Sequence, residues 1–178
     1  MKRRTAVVAL WITFLIIFGA TAWAEMVVQT CFSPQGRCSS HIIRELEKAN
    51  KELLIAVYAF THDELAGALV QAKKRGVTVQ VIIDREFDSA NENSKGKFLE
   101  GHKIPVRRLS GQKPPGKEAG LMHQKFAVID RAVVFTGSYN WTHSADKFND
   151  ENLLLFRDAG PLAEEYRNTF FRLWERKP

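Results

Sequence analysis

Two apolar runs, Leu53 to Phe60 and Val77 to Asp84, constrain this chain more than any other feature. A strand reads as near-continuously apolar only when both of its faces are covered, which happens mainly in sheets flanked by helices. Between the runs, Leu65, Ala68, Leu69 and Ala72 recur at helical spacing, with Thr61 or Asp63 to open the helix and Gly76 to stop it. Upstream, Met26 to Phe32 reads as a strand, and Ser39 or Ser40 caps a helix carrying Ile42, Ile43, Leu46 and Ala49 on one face. Strands alternating with amphipathic helices imply an α/β layered sheet. Asp88 to Lys97 reads as a polar loop leading into a short helix, and Ile104 to Leu109 as a short strand. Ser110 to Gly120 must be irregular. Phe126–Asp130 and Ala132–Thr136 read as a hairpin around a tight Asp130-Arg131 turn, followed by a strand at Asn152–Phe156 and a closing helix at Leu162–Trp174. The 178 residues suffice for one domain, with about seven or eight strands.

The formal charge of +6 suggests a polyanionic partner, but Lys2, Arg3 and Arg4 precede an apolar stretch, Thr5 to Ala20. That order, with Ala22-Trp23-Ala24 behind it, predicts a secretory signal over residues 1–24, leaving a domain over 25–178. An uncleaved membrane anchor over 5–23 is the alternative, since a span takes roughly 20 residues. Either way the domain is exported, to the periplasm or beyond in a bacterium. Without the three basic residues the balance is 23 basic against 20 acidic, a net of +3. Export bears on Cys31 and Cys38, which bracket a Ser-Pro-Gln-Gly turn. A disulfide is the first expectation; a metal site with His41 and two free thiols are the others.

Gly111 to Lys117 matches the start of a phosphate-binding loop. However, Glu118 stands where a hydroxyl should hold magnesium, and Pro114 and Pro115 lack the N–H groups such a loop uses. His62-Asp63 reads as a helix start, and His41, His102 and His143 have no partner spacing. No metal-ligand motif is visible. His123 and Lys125 stand two apart at the opening of a strand, so they share a face. Ser138 and Asn140, two apart after Gly137, begin thirteen residues beyond Lys125. If the hairpin forms, a nucleophile or base, a cation and two neutral hydrogen-bonding groups converge. A phosphodiester under attack needs this combination, because its two non-bridging oxygens want charge and donors. Gly137 would let the backbone approach closely.

The string His-x-Lys, four residues, Asp, six residues, Gly-Ser-x-Asn fits without a gap. It resembles the HKD motif of the phospholipase D superfamily, carried here by His123, Lys125, Asp130, Gly137, Ser138 and Asn140. The text around it, Tyr58-Ala59-Phe60-Thr61, Lys73-Lys74-Arg75-Gly76-Val77 and Asn140-Trp141-Thr142, is similar to the small bacterial endonuclease branch and its mitochondrial relatives. The resemblance implies a layered α/β/α sandwich with a mixed, mostly buried sheet. It implies His123 as a nucleophile forming a phosphohistidine, Lys125 and Asn140 on the phosphate oxygens with Ser138 supporting them, and no metal or cofactor. Asp130 has the wrong strand parity for contact and is read as positioning the hairpin. Glu151 is the expected partner of the other His123 nitrogen, with Asp150 its competitor. With one motif in the chain, two histidines can meet at one phosphate only in a homodimer with a shared site. The hairpin Met122–Asn140 should then lie at the interface, with Tyr139 and Trp141 either contributing to it or packing in the core. A short single-motif member points to a metal-independent nuclease cleaving DNA or RNA without sequence preference. The alternatives are a membrane-associated phospholipase acting on lipid such as cardiolipin, and a nucleic-acid-binding module without turnover. Lys73, Lys74, Arg75, Arg107, Arg108, Lys113 and Lys117 are candidates to flank a backbone-tracking groove.

Overall fold

The computed structural model describes residues 25–177, and the segment read above as a signal or anchor lies outside them. In chain order the elements are β1 (Val27–Ser33), α1 (Cys38–Lys48), β2 (Glu52–Val57), α2 (Asp63–Lys74), β3 (Thr78–Asp84), α3 (Arg85–Ala90) and α4 (Gly96–Gly101). There follow β4 (Val106–Leu109), β5 (Lys125–Ile129), β6 (Val133–Gly137), α5 (His143–Lys147), β7 (Glu151–Arg157) and α6 (Gly160–Glu175). The strands make one seven-stranded sheet ordered β1-β7-β6-β5-β2-β3-β4. The β2, β3 and β4 strands run parallel, while β5, β6, β7 and β1 join by antiparallel pairing.

The apolar run in β2 is explained by its two faces. Leu53, Ile55 and Val57 join the core under α1 and α2, with Ile42, Leu46, Leu65 and Leu69. Leu54 and Ala56 point the other way, into a second core with Phe126, Val128, Val134 and the α6 residues Ala163 and Phe170. Successive strand side chains alternate faces, so only helices on both sides can bury every position of such a run. The result is the expected α/β/α layering around a mixed sheet. The exception is the β1 edge, where Val27, Val28 and Phe32 stand exposed.

Two local expectations change, and one open choice is settled. Neither Ser39 nor Ser40 caps α1: the helix starts at Cys38 behind Arg37, which has a left-handed φ of 54° and makes no side-chain cap. Two tertiary ties set that start, the Cys31–Cys38 disulfide to β1 and the Ser39 N–H donated to Asp146 Oδ1 at 3.1 Å. Part of the Asp88–Lys97 stretch is helical, because Asp84 Oδ1 accepts from Phe87 N at 3.0 Å and starts α3 directly at the end of β3. Tyr139 and Trp141 are core residues, 1% and 2% exposed, and so supply no interface from this chain. Trp141 packs edge-on against Phe60, and the Tyr139 hydroxyl donates to Asp146 Oδ1 at 2.9 Å.

Candidate active site

The β5–β6 hairpin sets the site because its two strands start and finish at one end of the sheet. Phe126 pairs with Thr136, so Lys125 lies beside Gly137, and Gly137 in turn faces Leu153 of β7. The turn at the far end is a two-residue one: Asp130 and Arg131 have φ of 51° and 59°, and Ala132 N–H donates to Ile129 O. Two positive φ values match the turn whose twist suits a hairpin. Gly137 has a φ of 144°, and a Cβ there would meet Asn152 O at 2.3 Å. Only glycine fits that approach, which lets Ser138 and Tyr139 N–H both reach Asn152 O.

His123 lies just ahead of β5 rather than within it, although Tyr58 N–H donates to Gln124 O at 2.8 Å and extends the β2–β5 pairing. Its exposed imidazole rests on Tyr58, with ring centroids 4.8 Å apart. Lys125 Nζ sits 5.3 Å from the same ring and donates to His123 O at 3.1 Å. Tyr58 therefore seats both groups, a role the apolar run around it concealed. Burial lowers the Lys125 pKa, opposed by the Glu151 carboxylate, which favours the charged form. Asn140 is half-buried, and its Oδ1 has no hydrogen-bond partner. A buried polar atom left open in this way is costly unless a ligand completes it.

Glu151 does not orient His123 here. Its Oε2 accepts from Ser138 Oγ at 2.5 Å and its Oε1 from Asn149 Nδ2 at 3.2 Å. Ser138 Oγ also accepts from Asn152 N at 3.0 Å, so the serine is fixed between β6 and β7. What holds the histidine segment is Asp84, 1% exposed, whose Oδ2 accepts from Met122 N at 2.9 Å. Nothing in the local sequence ties Asp84 to a residue 38 positions later. Asp130 belongs to the other end of the sheet, where its carboxylate accepts from the N–H groups of Asn50, Lys51 and Glu52 at 2.8–2.9 Å. It anchors the turn and does not touch the patch.

The basic groove also changes. Lys73, Lys74 and Arg75 close α2 and lead into the start of β3, at the end away from His123. Arg75 is occupied by the carbonyls of Leu46 and Ala49. Arg108 is paired with Asp88 and Glu100, and Arg107 donates to Arg176 O. Lys113 and Lys117 are exposed in the loop that runs on to His123.

The assembled group can grip an anion from several sides. It offers an imidazole at the surface, a partly desolvated ammonium and the Asn140 amide, whose Nδ2 is the end able to donate to an anion. A family model described as cardiolipin synthase, PLD-like domain, matches residues 42–174. Phospholipase D of Rickettsia prowazekii is 34% identical over 146 residues, covering 81% of this chain and 66% of the relative, so the match spans just under two thirds of that protein's length. Mitochondrial cardiolipin hydrolase of Xenopus laevis is 33% identical over 158 residues, 83% of this chain and 71% of that one. Among solved structures, NucT from Helicobacter pylori superposes with a TM-score of 0.78 at 30% identity, covering 85% of this chain and 97% of that one. Nuc from Salmonella typhimurium, a phospholipase D family member, gives 0.75 at 29%, covering 84% and 95%.

Proposed function

Because the chain belongs to the phospholipase D superfamily, we propose that it is a phosphodiesterase whose nucleophile is His123, and that its substrate is nucleic acid. The observation that carries this is the open patch itself. His123 and Lys125 share the Tyr58 ring, and no hydrogen bond holds the Asn140 Oδ1, so that side-chain amide is free to present its Nδ2 donor to a phosphate oxygen. In the first step an imidazole nitrogen attacks phosphorus, forming an N–P bond as the P–O bond to the leaving group breaks. Lys125 and the amide of Asn140 hold the non-bridging oxygens, and Glu151 steadies Ser138 beside them. Water then displaces the imidazole and restores the enzyme. The leaving oxygen must take a proton, and the chain has no second His-x-Lys motif to supply it. A second copy of the chain across a two-fold axis would bring another His123 to the same phosphate. Leu121 and Phe148, 50% and 79% exposed on segments flanking the patch, are apolar groups that such a pairing would cover. A phospholipid substrate is the second reading, favoured by the likeness to cardiolipin hydrolase.

The test incubates purified protein in EDTA with plasmid, single-stranded DNA, RNA and cardiolipin vesicles. Cleavage of nucleic acid that vanishes in His123→Ala supports the proposal. Cleavage of vesicles alone moves the substrate to lipid, and activity lost in EDTA but restored by magnesium defeats the mechanism.

A further inference from the structure

A cavity of about 380 Å³ opens between the end of β3, the loop after β4 and the end of α6. Arg85, Lys113, Arg176 and Lys177 line it around Leu109 and Ser110, and among the described residues no carboxylate does. None of the four cations enters an ion pair among the described residues. Arg176 donates to Ser110 O and Arg85 to Arg108 O, so both guanidiniums are held by neutral carbonyls that leave their charge uncancelled. Neighbouring Arg108 shows the contrast, gripped by Asp88 and Glu100. Arg107, donating to Arg176 O, stitches the end of α6 to β4. Uncancelled cations gathered in a concave wall attract an anion more strongly than the same charges spread over a surface.

The cavity shares its end of the sheet with the catalytic patch. Arg85 follows Asp84, whose carboxylate holds Met122 next to His123, and the loop carrying Lys113 runs on to His123. A ligand filling both places would carry two anionic groups, which a polynucleotide backbone supplies as phosphates in series. We propose that the cavity is a second phosphate subsite, binding the backbone of a polynucleotide whose neighbouring diester lies at His123. This inference rests on the nuclease reading for its ligand. A lipid surface fits the cavity less well, because its lining carries four cations and none of the exposed large apolar residues, Leu121 and Phe148 included.

The experiment measures binding of a labelled single-stranded oligonucleotide by fluorescence anisotropy over a range of salt, with cleavage followed in parallel. Lys113→Ala/Lys177→Ala removes two exposed cavity charges; Lys51→Ala/Lys74→Ala removes two exposed charges at the far end of the sheet. Arg85→Ala is the second cavity variant, and thermal melts establish that all are folded. The cavity variants should bind about tenfold more weakly at low salt, and the double variant's salt slope should fall by about 1–2. The far-end pair should change affinity less than about twofold. Equal losses from both pairs, or no loss from either, would overturn the subsite, as would weakened binding to cardiolipin vesicles with oligonucleotide binding intact. If the wild-type chain cleaves no nucleic acid yet the cavity variants alone lose binding, the nuclease reading falls and the subsite stands. If it cleaves and the cavity variants bind normally, the reverse holds.

Discussion

The two ends of the sheet are built from the same hairpin and treat their polar groups in opposite ways. At the turn end, the Asp130 carboxylate takes three backbone N–H groups, Glu52 pairs with Arg131 and Arg167, and Arg75 closes α1. Charge and donor are matched there. At the other end, among the described residues, Lys125 has a carbonyl and an aromatic ring but no carboxylate within ion-pair distance, and Asn140 Oδ1 has no partner. A saturated polar network stabilises the fold, whereas an unsaturated one is stabilised only when a ligand arrives. The contrast separates chemistry from architecture within one motif: Asp130 belongs to the first end, His123, Lys125 and Asn140 to the second.

The largest effect that would sharpen this contrast is loss of the proposed nucleophile. His123→Ala should lower turnover by several orders of magnitude while the melting temperature barely moves, since the exposed ring supports little of the core. An inactive variant that has also lost much of its stability would break the separation. Next come the groups proposed to hold the phosphate. Lys125→Ala and Asn140→Ala should each cost about 3 kcal/mol of transition-state stabilisation, roughly a hundredfold in kcat, measured by steady-state kinetics. Burial holds the Lys125 pKa below its ordinary 10.5, so the alkaline fall in kcat/KM should begin below that value. Lys125→Arg, if active, should push that fall to higher pH.

At the opposite end the signs reverse. Asp130→Ala leaves three N–H groups without their acceptor and puts alanine at a left-handed φ, so it should cost about 2–3 kcal/mol in urea unfolding. Its kcat should stay within about twofold of wild type, because no reacting group depends on it. The smallest expected effect concerns Asp146. Burial opposes its ionisation, but donors from Lys147, Ser39 and Tyr139 outweigh this and hold its pKa near about 2. A carboxyl depressed on folding contributes stability that is complete above the unfolded value near 3.8 and is lost as pH falls towards 2. Stability measured from pH 5 to 2 should therefore drop by about 2 kcal/mol from this group, and Asp146→Asn should flatten the drop.

Much of the architecture was legible because its causes are local. Both faces of β2 are buried, and the run Leu53–Val57 states that directly. The spacing of His123, Lys125, Ser138 and Asn140 exposes the hairpin, since strand periodicity and a two-residue turn leave few alternative registers. Helix starts were less legible: α1 begins where the Cys31–Cys38 disulfide and Asp146 hold it, and no nearby cap residue signals that.

By itself, then, the sequence determined the layer order and the hairpin, and singled out the residues proposed to attack and bind a phosphate. The first two follow from a short-range period or spacing, the last from a motif that resembles a known family's. Tertiary structure alone decided how that chemistry is supported. It placed Tyr58 under His123 and Lys125, bound Asp84 to Met122, gave Glu151 to Ser138 instead of to the histidine, and buried Tyr139 and Trp141. It also sorted the basic residues, carrying Lys73 and Lys74 to the far end and leaving Arg85, Lys113, Arg176 and Lys177 around one cavity. Those pairings join residues tens of positions apart, and a side chain's charge or burial is settled by which neighbours the packed chain brings to it.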